Sequence, residues 1–284
     1  MNEPFRHFSV GRLRGFAMVD SVVQLPAAPF FVNAPPDLLD QELRRHGMAD
    51  GQFNGIVTCL FLDTGAHKIV LDTGYGPGLG PGMGQMWSHL IAEGIALGDV
   101  DTVILSHWHA DHVGGAADVD GEPAFPNARH VMARVEWDWA GSDAAWPVME
   151  HMAGEITRRS LETVRDQIVL VDGEFEVVPG VQVFPAPGHT PGHLAVSVSS
   201  EGQRLLCLGD AAVHPLHLEH PDWHMAFDQD PEQALATRRR LYDRAASERA
   251  LVYATHFGPI GLGHAAARSA GWQWQPVGQS PDTI

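Results

Sequence analysis

The segment His107-Trp108-His109-Ala110-Asp111-His112 places three imidazoles and a carboxylate within six residues, directly after the apolar run Val103-Ile104-Leu105. Neutral imidazole and carboxylate are the side chains that hold borderline divalent cations such as zinc. In an extended segment His107 and His109 point the same way, because side chains alternate with period two. Asp111 and His112, beyond a bend eased by Gly114-Gly115, can then face a second ion. The bland alternative is a surface loop that happens to be histidine-rich. With 17 His in the 284 residues, no packing or solubility requirement calls for this cluster.

Four further places offer the same chemistry near strand-like runs. Asp72 follows Leu71, His189 and His193 occur in Pro187-Gly188-His189-Thr190-Pro191-Gly192-His193, Asp210 follows Leu208-Gly209, and His256 follows Ala254-Thr255. Each alone is weak, since a single strand-end histidine is more often solvated or capped. Their joint occurrence beside the six-residue motif is the strong signal.

The elements that must position these groups are short strands, glycine turns and a few helices. Strands are expected at Phe8 to Val19, Ile56 to Asp63, Ile69 to Leu71, Thr102 to Leu105, His130 to Met132, Ile168 to Val171, Val181 to Pro185, Leu194 to Ser199, Arg204 to Leu208 and Leu251 to Tyr253. Helical spacing runs from Met86 to Leu97, and Arg134 to Arg165, rich in Trp, Met and charge, reads as helical. Pro231 to Ala246 is the strongest helix, with Asp230 as its N-cap and Pro231 at its first position. Gly74 to Gly84 must be a loop. Strand groups alternating with helices suggest two sheets packed face to face with helices outside. The chain is expected to be one domain over 1–284, with an N-terminal arm from about residue 20 to 50 and an irregular tail from about 265 to 284. Pro26, Pro29, Phe30 and Phe31 make the arm apolar but proline-broken. Such an arm covers a neighbouring subunit, giving a homodimer, or a pocket mouth, or it packs on its own domain.

Lys+Arg 18 against Asp+Glu 35 gives a formal charge of −17. That balance argues against nucleic-acid and anionic-membrane partners, because it repels phosphate. Cys59 and Cys207 lie in apolar runs and read as buried free thiols. The N-terminus has no basic start followed by an apolar core, so no signal peptide is expected and the cytoplasm is the expected location. No apolar run reaches the ~20 residues that cross a bilayer.

In these motifs and their order, roughly from Phe8 to Gly261, the chain resembles the metallo-β-lactamase fold superfamily. The resemblance implies an α/β four-layer αββα sandwich, two mixed β-sheets flanked by helices, with a two-metal site along one edge. It implies that His107, His109 and His189 hold one ion. Asp111, His112 and His256 would hold the second, and Asp210 would bridge them. Asp72 matches the buried acid that orients a ligand imidazole, and His193 supports its turn. Two such cations, zinc first with iron, manganese or cobalt also suited, can share a hydroxide whose parent water is acidified toward neutral pH. Asp111 is then placed to accept the nucleophile's hydrogen bond and pass a proton on. The expected reaction is hydrolysis of an ester-like bond in a small molecule, without a covalent intermediate. No G-x-S-x-G nucleophile elbow is present to compete.

Departures narrow the branch. Asp210, where antibiotic-cleaving β-lactamases carry Cys, and His109, where flavodiiron proteins carry Glu, argue against those roles. Glyoxalase II would need cationic side chains for glutathione. Phe8-Ser9-Val10-Gly11, Asn33-Ala34-Pro35-Pro36, His214-Pro215, Phe227-Asp228-Gln229-Asp230-Pro231 and Thr237-Arg238 resemble the quorum-quenching N-acyl homoserine lactonase and methyl parathion hydrolase branch. A lactone is the expected substrate, with a phosphotriester as the alternative and a non-catalytic metal-dependent binding module as a third reading. Lactonases of this group commonly carry a tyrosine three residues after the bridging acid; here that position is Val213, with His214 next to it as a substitute donor. Trp108, His214 and Phe257 are the substrate-contact candidates.

Overall fold

A computed structural model describes residues 4–48, 51–150, 153–269 and 271–278. The first half of the chain builds a seven-stranded sheet in spatial order β1 (Phe5–Val10), β2 (Leu13–Pro26), β3 (Gln52–Asp63), β4 (Lys68–Leu71), β5 (Thr102–Ile104), β6 (Arg129–Ala133) and β7 (Ile168–Val171). The second half builds another, with β8 (Phe175–Val178), β9 (Val181–Pro185), β10 (Leu194–Ser200), β11 (Gln203–Cys207), β12 (Leu251–Tyr253), β13 (Leu262–Ala267) and β14 (Trp272–Pro276) adjacent in turn. Both sheets are mixed. β4 to β7 pair in parallel and β1 to β4 antiparallel. In the second sheet β11 and β12 form the parallel pair.

Alternation along the strands explains the layering. In β3, Leu60 and Leu62 face the core between the sheets, while Cys59 and Phe61 face the outer layer. A strand apolar on both faces must be covered twice. On the first sheet the cover includes α2 (Met86–Ala92), α5 (Trp146–Met149) and α6 (Gly154–Thr163), through Met86, Leu90, Met149 and Leu161. On the second it is α8 (Pro231–Glu248), through Leu241, Tyr242 and Ala245. The result is α/β, helix on sheet on sheet on helix. α8 starts as its sequence requires: Asp230 accepts the Gln233 N–H at 3.0 Å and Pro231 occupies the first turn. Cys59 and Cys207 are buried free thiols in different layers. Among the described residues no helix is long and apolar enough to cross a membrane.

Several expected boundaries shift. Phe8 to Val19 is a hairpin rather than one strand, turning at Gly11-Arg12, and its second strand runs on to Pro26. The 86–97 helix stops at Ala92, and 134–165 divides among α4 (Arg134–Ala140), α5 and α6; positions 151–152 lie outside the described residues. β8 and β13 have too little alternation to be read in advance. The tail is not irregular: Trp272 to Pro276 pairs with β13, and Trp272 and Trp274 pack against the α8 side of the core. Positions 279–284 lie outside the described residues.

The arm packs on its own chain. Phe31 is buried with Leu43 of α1 (Pro36–Arg45), Phe53, Leu216 of α7 (Leu216–Glu219) and Trp223, and Phe30 stands edge-on to Phe53 and Phe227 at 4.6 and 5.2 Å.

Candidate metal centre

The parallel pairs β4/β5 and β11/β12 bring four strand ends to one edge of the sandwich. Asp72 follows β4, the 107–112 motif follows β5, Asp210 follows β11 and His256 follows β12. His189 enters on the turn before β10. The two sheets are tied at this edge by Thr58, whose hydroxyl donates to the Thr255 carbonyl at 2.7 Å and lies 2.9 Å from the Tyr253 phenol oxygen.

Seven side chains converge there. One ligand atom each from His107, His109, His189 and Asp210 lies within 4.8 Å of the others, and the same holds for Asp111, His112 and His256. Asp210 joins the groups: its Oδ2 lies 3.9 Å from His107 Nε2 and 3.5 Å from His189 Nε2, and its Oδ1 3.3 Å from His112 Nε2 and 3.1 Å from His256 Nε2. His109 Nδ1 sits 2.9 Å from His107 Nε2 and 3.0 Å from His189 Nε2.

The outward nitrogens set which lone pairs face inward. His112 Nδ1 meets Asp72 Oδ2 at 2.8 Å, His189 Nδ1 meets Asp228 Oδ1 at 3.0 Å, and His256 Nδ1 meets the Ile56 carbonyl at 2.7 Å. Ser106 Oγ donates to Asp72 and sits 3.0 Å from His107 Nδ1. A proton donated outward from Nδ1 leaves Nε2 as a lone pair aimed at the cluster. Burial, then neighbouring imidazoles, pushes His107 and His109 well below the ordinary histidine range. Burial also opposes a proton on His112, but Asp210, Asp111 and Asp72 outweigh it and raise that ring.

The supporting frame is equally local. His193 Nε2 accepts the Asp210 N–H at 3.0 Å, and its Nδ1 lies 3.0 Å from the Ala186 carbonyl. A side chain at Gly209 would collide with that ring. Gly114 and Gly115 are required for a different reason from the expected bend: a Cβ on them would strike the Tyr75 and Thr73 carbonyls, so the motif helix α3 (Ala110–Val113) could not nest against the loop after β4.

Three acids went unrecognised in sequence. Glu136, fully buried on α4, accepts the Trp108 N–H (3.0 Å), the Thr190 hydroxyl (2.9 Å) and the Gly192 N–H (2.8 Å), clamping the two histidine loops together. Burial pushes its carboxyl up to about 7, against the pull of those donors. Asp228 orients His189 and lies 3.6 Å from the buried guanidinium of Arg238. Asp20 accepts the backbone N–H groups of Tyr75 and Met86. Asp228 lies in the Phe227 to Pro231 segment that carries the resemblance, and no spacing rule marks the other two.

A cavity of about 410 Å³ opens over the cluster, reached by His109, Asp111, His189, Asp210 and His256. Its walls are apolar, among them Leu25, Phe30, Phe53, Val57, Val213 and Phe227. The expected substrate contacts are corrected. Trp108 is fully buried and stacked on Trp139, and Phe257 is fully buried against Trp274. His214 turns away among Phe31, His46 and Phe53, leaving Val213 on the wall. The phenylalanine wall comes instead from Phe30 of the arm, Phe53 at the start of β3 and Phe227, which no local pattern reveals.

A family model described as the metallo-beta-lactamase superfamily matches residues 53–256, the span that holds all seven converging side chains. The chain belongs to the metallo-beta-lactamase superfamily. Within that superfamily it is 28% identical to the N-acyl homoserine lactonase of Bacillus thuringiensis subsp. kurstaki, over 80% of this chain and 92% of that protein. The fold matches AidC, a dizinc quorum-quenching lactonase solved with a product, at a TM-score of 0.89 and 24% identity, covering 97% and 98% of the two chains. It also matches the hydrolase AbOPH in the beta lactamase superfamily, at 0.88 and 22%, covering 99% of each.

The residues present fit a pair of cations. His112 Nε2 and Asp210 Oδ1 are buried and 3.3 Å apart without hydrogen-bond alignment, so they face a shared point rather than each other. Two carboxylates and five imidazoles form a donor set suited to divalent ions that accept nitrogen and oxygen.

Proposed function

We propose that this chain is a hydrolase dependent on two divalent cations, zinc foremost, and that it opens a lactone of the N-acyl homoserine type in quorum quenching. The convergence of seven nitrogen and oxygen donors beneath an apolar cavity carries this reading. His107, His109 and His189 would hold one cation and Asp111, His112 and His256 the other, with Asp210 between them. Cations held there would acidify a water and polarise the substrate's reacting oxygen. The chain's own groups do the rest. Asp72, Asp228 and the Ile56 carbonyl keep three imidazoles turned lone-pair inward. Asp111, which reaches the cavity, takes a proton from the attacking water as it adds to the substrate and returns that proton to the leaving oxygen. Phe30, Phe53 and Phe227 take an acyl chain and exclude bulk water. The curated relatives named N-acyl homoserine lactonase support the substrate class.

A phosphotriester is the second substrate class, favoured by the neutral, apolar wall at Val213. The arm buries Phe31 within its own chain. The test is hydrolysis of N-hexanoyl homoserine lactone and of methyl paraoxon by metal-replete and chelated protein, with metal content measured in parallel. Lactone opening that disappears with chelator and returns with zinc supports the reading. Activity that survives chelation, or fewer than two ions per active chain, sinks it.

A further inference from the structure

Among the described residues, every polar side chain lining the cavity other than Tyr75 belongs to the His/Asp cluster, and Tyr75 is the one that brings a neutral hydroxyl. Among the described residues, no protein group hydrogen-bonds to that hydroxyl. A half-buried phenol beside a ring of charged and basic groups ordinarily finds a partner. Its backbone is held with unusual care. The Tyr75 N–H donates to Asp20 Oδ2 at 3.0 Å, and that carboxylate is itself held by Ser21 and the Met86 N–H. The Tyr75 carbonyl packs so closely on Gly114 that no side chain fits between them. Three residues upstream in the same loop, Asp72 is fixed to His112 and Ser106. The loop that presents Tyr75 is therefore locked to the same motif that supplies the cluster.

We propose that the Tyr75 hydroxyl donates a hydrogen bond to the reacting oxygen of the substrate, fixing the scissile group over the cluster and stabilising charge that develops on that oxygen. The phenol keeps its proton throughout; no bond to it forms or breaks. This rests on the hydrolase reading above and adds to it a substrate-touching residue on the β4 loop. A rigid donor aimed where charge develops contributes more in the transition state than in the ground state.

The experiment compares zinc-loaded wild type and Tyr75→Phe, a change that removes one oxygen from a partly exposed side chain and leaves the loop anchors intact. Two ions per chain and an unchanged melting temperature are expected in both. For whichever ester the wild type cleaves, kcat should fall about 100-fold with KM little changed. Inorganic phosphate, titrated calorimetrically as an oxyanion probe, should bind Tyr75→Phe about ten-fold or more weakly. Equal kcat, equal phosphate affinity, absence of phosphate binding in the wild type, or loss of metal from Tyr75→Phe would each overturn the assignment. Should the wild type cleave neither a lactone nor a phosphotriester, the hydrolase reading fails on that count, while the phosphate titration still decides on Tyr75.

Discussion

Replacing Glu136 with glutamine should erase a pH dependence of stability that the wild type carries between about pH 4.5 and 7. The carboxyl is buried, and burial raises its pKa from 4.5 to about 7 even though three donors from the histidine loops pull it down. The folded protein thus holds this proton more tightly than the unfolded chain. Its contribution is complete below pH 4.5 and is lost as pH rises through 7. That interval corresponds to roughly 3 kcal/mol at pH 8. Glutamine carries no charge to desolvate, but its amide offers one oxygen where the carboxylate offers two. One of the Trp108, Thr190 and Gly192 donors then faces an N–H, a pH-independent cost of about 1–3 kcal/mol. Glu136→Gln should therefore be less stable than wild type at pH 5, and the gap should close or reverse by pH 8. Urea unfolding of metal-stripped protein, followed by tryptophan fluorescence at both pH values, measures it. A gap of the same size at pH 5 and pH 8 would refute the reasoning. Bound cations draw the same carboxyl down, so the effect should shrink on loading with zinc.

Four other outcomes follow from the same geometry. Asp210→Ala should abolish turnover and lower metal content below two ions per chain, read by mass spectrometry; full loading with full rate would dismiss it as the shared ligand. Asp228→Asn should leave the fold intact and weaken metal affinity about 10- to 100-fold through a misoriented His189, and a chelator titration that matches wild type would contradict this. Arg238→Met should cost about 3 kcal/mol or more, because the guanidinium donates to the carbonyls of Ala211, Pro221 and Trp223 and neutralises Asp228; thermal unfolding decides. Phe30→Ala should raise KM for long acyl chains more than for short ones, since Phe30 is an apolar part of the cavity wall, and a uniform change across chain lengths would count against an acyl site there.

The converging side chains were legible because each lies just past a short apolar strand, and strand ends in a layered α/β fold share an edge. The 107–112 motif, Asp72, His189, Asp210 and His256 therefore stand out by residue type and order alone. The layered architecture was legible for a similar reason: apolar runs without polar alternation have to be covered on both faces. The residues that join one loop to another were not legible. Glu136 looks like any helix acid until its helix lies across Trp108 and Gly192, and Tyr75 looks like a loop residue until Gly114 admits it to the cavity. The chosen pocket aromatics failed because Trp108 and Phe257 turn into the outer core layers, while the wall is built by Phe30, Phe53 and Phe227 from distant segments. Local chemistry is written in residue type and spacing; the lining of a cavity is decided by which surfaces meet, and only the packed chain determines that.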